Sequence, residues 1–192
     1  MMLSELLQKN SLFRTLHKID LDLSQSAQEK GCPFCGGVLH QANYPRKPRG
    51  GPAIIPEAYR IRQSLCCGRE GCRRRSLPSS CLFMGRRVYW GAIILVVMCL
   101  RQGRLSGKSI CSLERLFDIS RQTIKRWILY FRDEFPQSPQ WKALRGRVVC
   151  LVTNTGLPGA LLLHFLNHCP SPEQAIVSCL SFFASGLVSG YS

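Results

Sequence analysis

The longest unbroken apolar stretch runs from Val88 to Leu100, thirteen residues that include one glycine. The stretch predicts a helix from about Arg86 to Gln102, ended by Gly103. It is apolar nearly all round, so the helix belongs inside a core rather than on its surface. Leu3, Leu6, Leu7, Leu12, Phe13 and Leu16 form a rougher helical stripe near the start. Residues 17–31 are polar and read as a linker. Helical spacing returns at 109–117 and 120–134. The segment PQSP (136–139) breaks the chain, and two further apolar helices are expected near 158–168 and 172–184. Between them lies a different texture. From Gly31 to about Ser80 the chain is rich in Gly, Pro and Cys, and only Val38–Tyr44 and Ala58–Leu65 read as short strands, around the loop PRKPRGGP.

This pattern predicts an α+β fold: a small four-cysteine zinc ribbon, then an all-α helix-turn-helix region and an apolar helical tail. The divisions fall at 1–30 (N-terminal helix and linker), 31–82 (ribbon), 83–135 (core helix and helix-turn-helix) and 136–192 (linker and tail). At 192 residues and 45% hydrophobic content the chain can bury a core. Its longest apolar run is short of the roughly twenty residues that span a bilayer. The beginning MMLSELLQKNSLFRTLH lacks the basic cluster, apolar stretch and cleavage site of a secretory signal. A cytoplasmic, nucleoid-associated location is the expectation, with no membrane partner.

Charge sharpens the reading. There are 26 Lys and Arg against 11 Asp and Glu, a formal net charge of +15. Residues 45–147 carry 22 of the basic groups and six acids, whereas 148–192 contain Glu173 and no Lys or Arg. A cationic middle of this size points to a polyanion, nucleic acid first. The uncharged tail is expected to pack on the 86–102 helix or on a second copy of the chain.

Eleven cysteines are many for this length. Cys32-Pro-Phe-Cys35-Gly-Gly has the form of a zinc knuckle, in which two thiolates bind one metal from a tight turn. Thirty residues later comes Cys66-Cys67-Gly-Arg-Glu-Gly-Cys72. Two such pairs around a strand-bearing insert read as a structural zinc site of Cys32, Cys35, Cys67 and Cys72, with Cys66 as an alternative to Cys67. Four thiolates close the coordination sphere and leave no position for water or substrate. A redox CxxC would open a helix in a βαβ unit, and a disulfide would suit a secreted chain; neither context is present. Cys81 is a weaker substitute ligand. Cys99, Cys111, Cys150 and Cys179 lie in apolar contexts and read as plain buried cysteines. His164 and His168, four apart beside Cys169, read as ordinary partly buried histidines.

The segment SICSLERLFDISRQTIKRWILYFRDEF (109–135) fits a helix-turn-helix. Ser120 can cap the second helix. In that helix Ile124, Trp127, Ile128 and Phe131 share one side at about 100° per residue, which turns Gln122 and Arg126 to the opposite side with Lys125 flanking. Arg pairs with guanine edges, Gln with adenine, and Lys with guanine or phosphate. Arg121 stands at the helix N-terminus, which favours phosphate. Arg73, Arg74 and Arg75, directly after Cys72, suit phosphate positioning. Arg86, Arg87, Arg101, Arg104 and Lys108 extend that basic link.

The residues CPFCGG, YPRKPRGG, LCCGREGCRRRSLPSS, FMGRRVYW and ISRQTIKRW, in this order, resemble the zinc-ribbon and helix-turn-helix portion of bacterial insertion-sequence transposases and their associated small proteins, over about residues 30–147. The resemblance implies DNA binding at element ends with a structural zinc, and a transposase or recombinase chain as partner. The sequence departs from a complete transposase. An RNase-H-like site needs three separated carboxylates for two metal ions; after Glu134 the only acid is Glu173. There is no His-x-His, and Tyr191 has no Arg and His set around it. No catalytic residue is assigned, and the chain reads as an accessory to, or a fragment of, a transposase. The alternatives are a sequence-specific transcriptional regulator, an enzyme whose catalytic groups go unrecognised here, and a zinc-ribbon module that meets an acidic protein.

Overall fold

The computed structural model describes residues 3–102, 109–148 and 156–186. Among them the chain is α+β, with eight α-helices and two small antiparallel sheets: α1 (Leu3–Leu6), α2 (Asn10–Lys30), β1 (Leu39–Gln41), β2 (Tyr44–Pro45), β3 (Ile61–Arg62), β4 (Leu65–Cys67), β5 (Arg75–Ser76), α3 (Gly91–Gln102), α4 (Ile110–Phe117), α5 (Arg121–Leu129), α6 (Pro139–Leu144), α7 (Gly159–His168) and α8 (Pro172–Ser185). Cys150, Gly103, Arg104, Lys108 and Tyr191 lie outside the described residues.

The all-round apolar sequence of α3 has the consequence expected of it. Every residue from Gly91 to Cys99 is buried. α7, α8, α4 and α5 pack around α3, and α2 reaches the same core through α8. Leu161, Leu162, Ile176 and Leu180 fill the space between the tail and α3. Polar bonds lock this contact: the Gln102 amide donates to the Leu157 carbonyl at 2.8 Å and accepts from the Gly159 N–H at 3.2 Å. No helix among the described residues is long and apolar enough to cross a membrane.

Three expectations need correction. The polar stretch 17–31 is no linker, because α2 runs unbroken to Lys30. Its buried stripe continues from Leu12, Phe13 and Leu16 through Asp20 and Ser24, polar residues at core positions that hide the helical period. Asp20 is satisfied there, accepting from the Ser80 hydroxyl and from the Cys81 N–H at 2.6 Å. The apolar run starts its helix at Gly91 rather than Arg86, since Tyr89 and Trp90 are held in extended bridges to Arg49 and Phe83. The two expected strands are instead divided. Val38–Tyr44 gives β1 and the start of β2, and Ala58–Leu65 gives a 3-10 turn, β3 and the start of β4.

The sheet order is β1-β4-β5, with Leu39 opposite Cys67 and Leu65 opposite Ser76; β2 pairs β3 separately. Leu39, Leu65, Cys32 and Cys67 form a small second cluster away from the main core. The end of α2 borders it through Ala27, and the Gln28 amide donates to the Leu39 carbonyl at 3.0 Å.

Candidate metal centre and candidate nucleic-acid interface

Four cysteine sulfurs, those of Cys32, Cys35, Cys67 and Cys72, lie within 4.8 Å of one another, a set that can hold a metal ion. The first pair sits on a tight turn, where the Cys32 N–H donates to the Gly37 carbonyl and the Gly36 N–H to the Cys32 carbonyl, both at 2.8 Å. Gly37 is closely packed: a Cβ there would stand 3.2 Å from the Cys67 sulfur and 3.3 Å from that of Cys35. The second pair comes from the end of β4 and the turn after it. The turn closes by the Cys72 N–H donating to the Arg69 carbonyl at 3.1 Å, and the Arg69 N–H donates to the Cys67 sulfur at 3.4 Å.

Strand geometry decides between the adjacent cysteines. Successive side chains of a strand point to opposite faces. In β4, Leu65 and Cys67 are buried and Cys66 between them is not. Cys66 turns its thiol to the Arg73 carbonyl at 3.5 Å. Cys81 is also elsewhere, buried against α8 with its sulfur 3.7 Å from the Ser181 hydroxyl.

The crowded thiols differ in acidity. The Gly37 N–H, then the Cys72 thiol, hold Cys35 below the usual thiol range, at about 7. The Arg69 N–H pulls Cys67 the same way, but burial and the other three cysteines outweigh it and push that thiol up to about 12. Against the Arg74 N–H, burial and Cys35 push Cys72 up as well. A cation among these sulfurs would displace their protons. The isolated thiols are inert by contrast: burial pushes Cys81 up to about 12 and Cys99 up to about 11, and Cys179 well above the ordinary thiol value. Cys111 corrects the sequence reading, because it is exposed and accepts from the Arg121 guanidinium at 2.7 Å. The eight residues of α4 hold only one buried side chain, Leu113, and Cys111 stands on the outer side of the helix. The His164 and His168 rings lie 4.4 Å apart and tilted by 35°, and the His168 ring meets the His164 carbonyl at 2.7 Å; His164 is partly buried as expected, whereas His168 is exposed.

The second candidate surface is the outer face of α5. Asp118 ends α4 in the left-handed conformation, Ile119 plugs the core, and the Ser120 hydroxyl accepts from the Thr123 N–H at 3.3 Å, which caps α5. Ile124, Trp127 and Phe131 are buried, and Ile128 packs beside them. The Trp127 ring stands edge-on to Tyr89 at 5.2 Å. Gln122, Lys125 and Arg126 are exposed. Arg121 is exposed too, but faces back onto α4: its guanidinium lies 3.5 Å from the Glu114 carboxylate, which also accepts the Arg121 N–H at 2.7 Å. The helix runs on from Leu129 into a π-helical turn, Tyr130–Glu134.

Arg73, Arg74 and Arg75 are all exposed beside the cysteine cluster. The Arg74 guanidinium lies 4.6 Å over the Phe34 ring and that of Arg75 lies 5.7 Å over Tyr44. Arg49 was not singled out in the sequence, yet it shares a shallow groove with Ser120 and Thr123 at the start of α5. The signal for it was the loop PRKPRGGP; what the sequence hides is where that loop lands. No protein-family model, curated protein or solved structure matches the chain.

Proposed function

We propose that the chain is a zinc-containing DNA-binding protein of a mobile genetic element, acting beside or within a transposase. The observation that carries the DNA reading is the division of α5. One side is held in the core by Ile124, Trp127 and Phe131, and the other offers Gln122, Lys125 and Arg126 to solvent on a chain of net charge +15. In this reading α4 and α5 are a helix-turn-helix, and α5 enters the major groove. Arg126 then suits a guanine edge, Gln122 an adenine, and Lys125 guanine or phosphate. Arg73, Arg74 and Arg75 position the protein on the phosphates.

Zinc is the cation that best suits the cysteines. Tetrahedral zinc with Zn–S bonds of about 2.3 Å sets its sulfurs about 3.8 Å apart. The Cys32 and Cys72 sulfurs stand 3.8 Å apart and those of Cys35 and Cys67 3.5 Å. In this ribbon the four thiolates fill the coordination sphere, so the metal would fix the segment that presents the arginine triplet rather than act on a substrate.

Selection on random duplex DNA with the purified chain tests the reading. A discrete motif is expected, and Gln122→Ala or Arg126→Ala should relax one or two of its positions, by about 1–3 kcal/mol each, with the thermal melt unchanged. If no sequence is enriched, or if both variants keep the full preference, α5 is not the reader.

A further inference from the structure

Two basic loops distant in sequence are joined beside α5. The Arg49 N–H donates to the Val88 carbonyl at 2.7 Å, and the Trp90 N–H to the Arg49 carbonyl at 3.4 Å. The Arg46 guanidinium spans the joint, donating to the carbonyls of Gly85 and Arg87 at 2.8 Å each. The core sets the position of the first loop. Gly51 is left-handed (φ +82°), and a Cβ there would come within 3.0 Å of the Phe13 ring and 3.1 Å of Trp90. Arg87 anchors the second loop, its guanidinium 3.8 Å over the Tyr130 ring that follows α5. The joined loops expose Lys47, Arg49 and Arg86, with Val88 between them 55% exposed.

Their relation to α5 is direct. Arg49 and Val88 line one groove with Ser120 and Thr123, and Arg86 and Val88 line the next with Thr123 and Arg126. The acids on these grooves are Glu114, which pairs with Arg121, together with Asp118 and Glu134. We infer that the joined loops 46–51 and 85–88 are a second DNA-contacting element, whose Lys47, Arg49 and Arg86 hold the phosphates along one border of the groove that α5 enters. This rests on the reading of α5 as a DNA reader. A helix in the major groove has a phosphate backbone on either side. A rigid cationic ridge on one flank of that helix is placed for one of those backbones, and contacts of this kind fix orientation without reading sequence.

The test compares the full chain with Lys47→Ala/Arg49→Ala/Arg86→Ala, using a mixed-sequence 30-base-pair duplex titrated over a range of salt. The joint itself uses main-chain groups and Arg46, so the thermal melt should not change. Each phosphate contact contributes about 0.9 to the slope of log Kobs against log salt, so the slope should become shallower by about 2–3. Affinity at low salt should fall on the order of 10- to 100-fold. Random-duplex selection with the triple variant should return the motif of the unaltered chain. K47R/R49K/R86K, which keeps the charges, should restore the slope. An unchanged slope in the alanine variant, while Gln122→Ala still relaxes the motif, would overturn this inference and leave the α5 reading standing. Failure of the unaltered chain to bind the duplex would remove both.

Discussion

Around α3 the chain is held by quantity: nine consecutive buried residues, closed over by Trp90, Phe131, Phe135, Trp141 and the leucines of α7. Around the cysteines, the buried apolar cluster among the described residues is Leu39 and Leu65 with Cys32 and Cys67. Burying two leucines contributes about 3–6 kcal/mol, while ordering each backbone residue costs about 1–2 kcal/mol. That is a thin core for β1, β4 and β5 and the turns beside them. Four sulfurs within 4.8 Å are where a bound cation could add a cross-link. The two regions share a chain but differ in what keeps them folded, so they should fail under different treatments.

Metal removal should separate them most sharply. Structural zinc in small modules contributes about 10–16 kcal/mol of apparent binding free energy at neutral pH. Chelation, or Cys32→Ser, should abolish amide-exchange protection in 31–41 and 65–76 and leave α3, α7 and α8 protected. Metal analysis should give one zinc per chain. Full protection of 31–41 and 65–76 in metal-free protein would mean that the small region stands on its own packing.

Trp127→Ala attacks the other region. Truncating a buried aromatic costs about 3–5 kcal/mol. Trp127 is 4% exposed and carries Tyr89 against its ring. The melting temperature of the helical region should drop while zinc content stays the same. If zinc is lost in parallel, the two regions are a single cooperative unit.

Asp20 lies where the regions meet, buried on α2 against Ser80 and Cys81 with Arg62 of β3 nearby. Burial pushes its carboxyl up from 3.8 to about 6. The folded chain therefore holds this proton more tightly than the unfolded chain does. The contribution of Asp20 is intact below pH 4 and diminishes as the pH rises through about 6, by about 3 kcal/mol at most. Asp20→Asn should flatten that part of the stability profile. Acid loss of metal affects both proteins equally, so the difference between their profiles isolates Asp20. Parallel profiles would show that its carboxyl titrates normally.

The same contrast explains what could be read in advance. α3, α7 and α8 were legible because their apolar runs need no distant partner to be recognised. The buried and exposed sides of α5 followed from helical spacing alone, and Cys32, Cys35, Cys67 and Cys72 from their pairing. The end of α2 was not legible, because Asp20 is a core residue only by virtue of Ser80 and Cys81, sixty positions away. The start of α3 was missed for a similar reason: Tyr89 and Trp90 are drawn into extended bridges by Arg49 and Phe83. The choice of Cys67 over Cys66 needed the register of β4, and strands of three residues leave little trace of their period. Local pattern described the elements that stand on their own apolar runs, and long-range pairing decided the end of α2, the start of α3 and the choice between Cys66 and Cys67.

The smallest expected effect concerns how the arginine triplet is held. Arg74 lies over Phe34, between the first cysteine pair, and Arg75 over Tyr44 of β2. These contacts brace the small region from outside, where its core is thin. A cation over an exposed ring contributes about 0.5–1 kcal/mol. A double-mutant cycle between Phe34→Leu and Arg74→Ala should return a coupling of that size in the metal-loaded chain. The thermal melt of the helical region should not respond to either change. Both single variants remove the ring contact, but only Arg74→Ala removes a charge. Phe34→Leu should therefore leave the salt slope of DNA binding nearly as it was, and Arg74→Ala should make it shallower by about 0.9. Equal effects of the two on the slope would mean that the ring is needed to aim the guanidinium at phosphate. Absence of any effect from Arg74→Ala would make that arginine a brace alone and leave phosphate positioning to its neighbours.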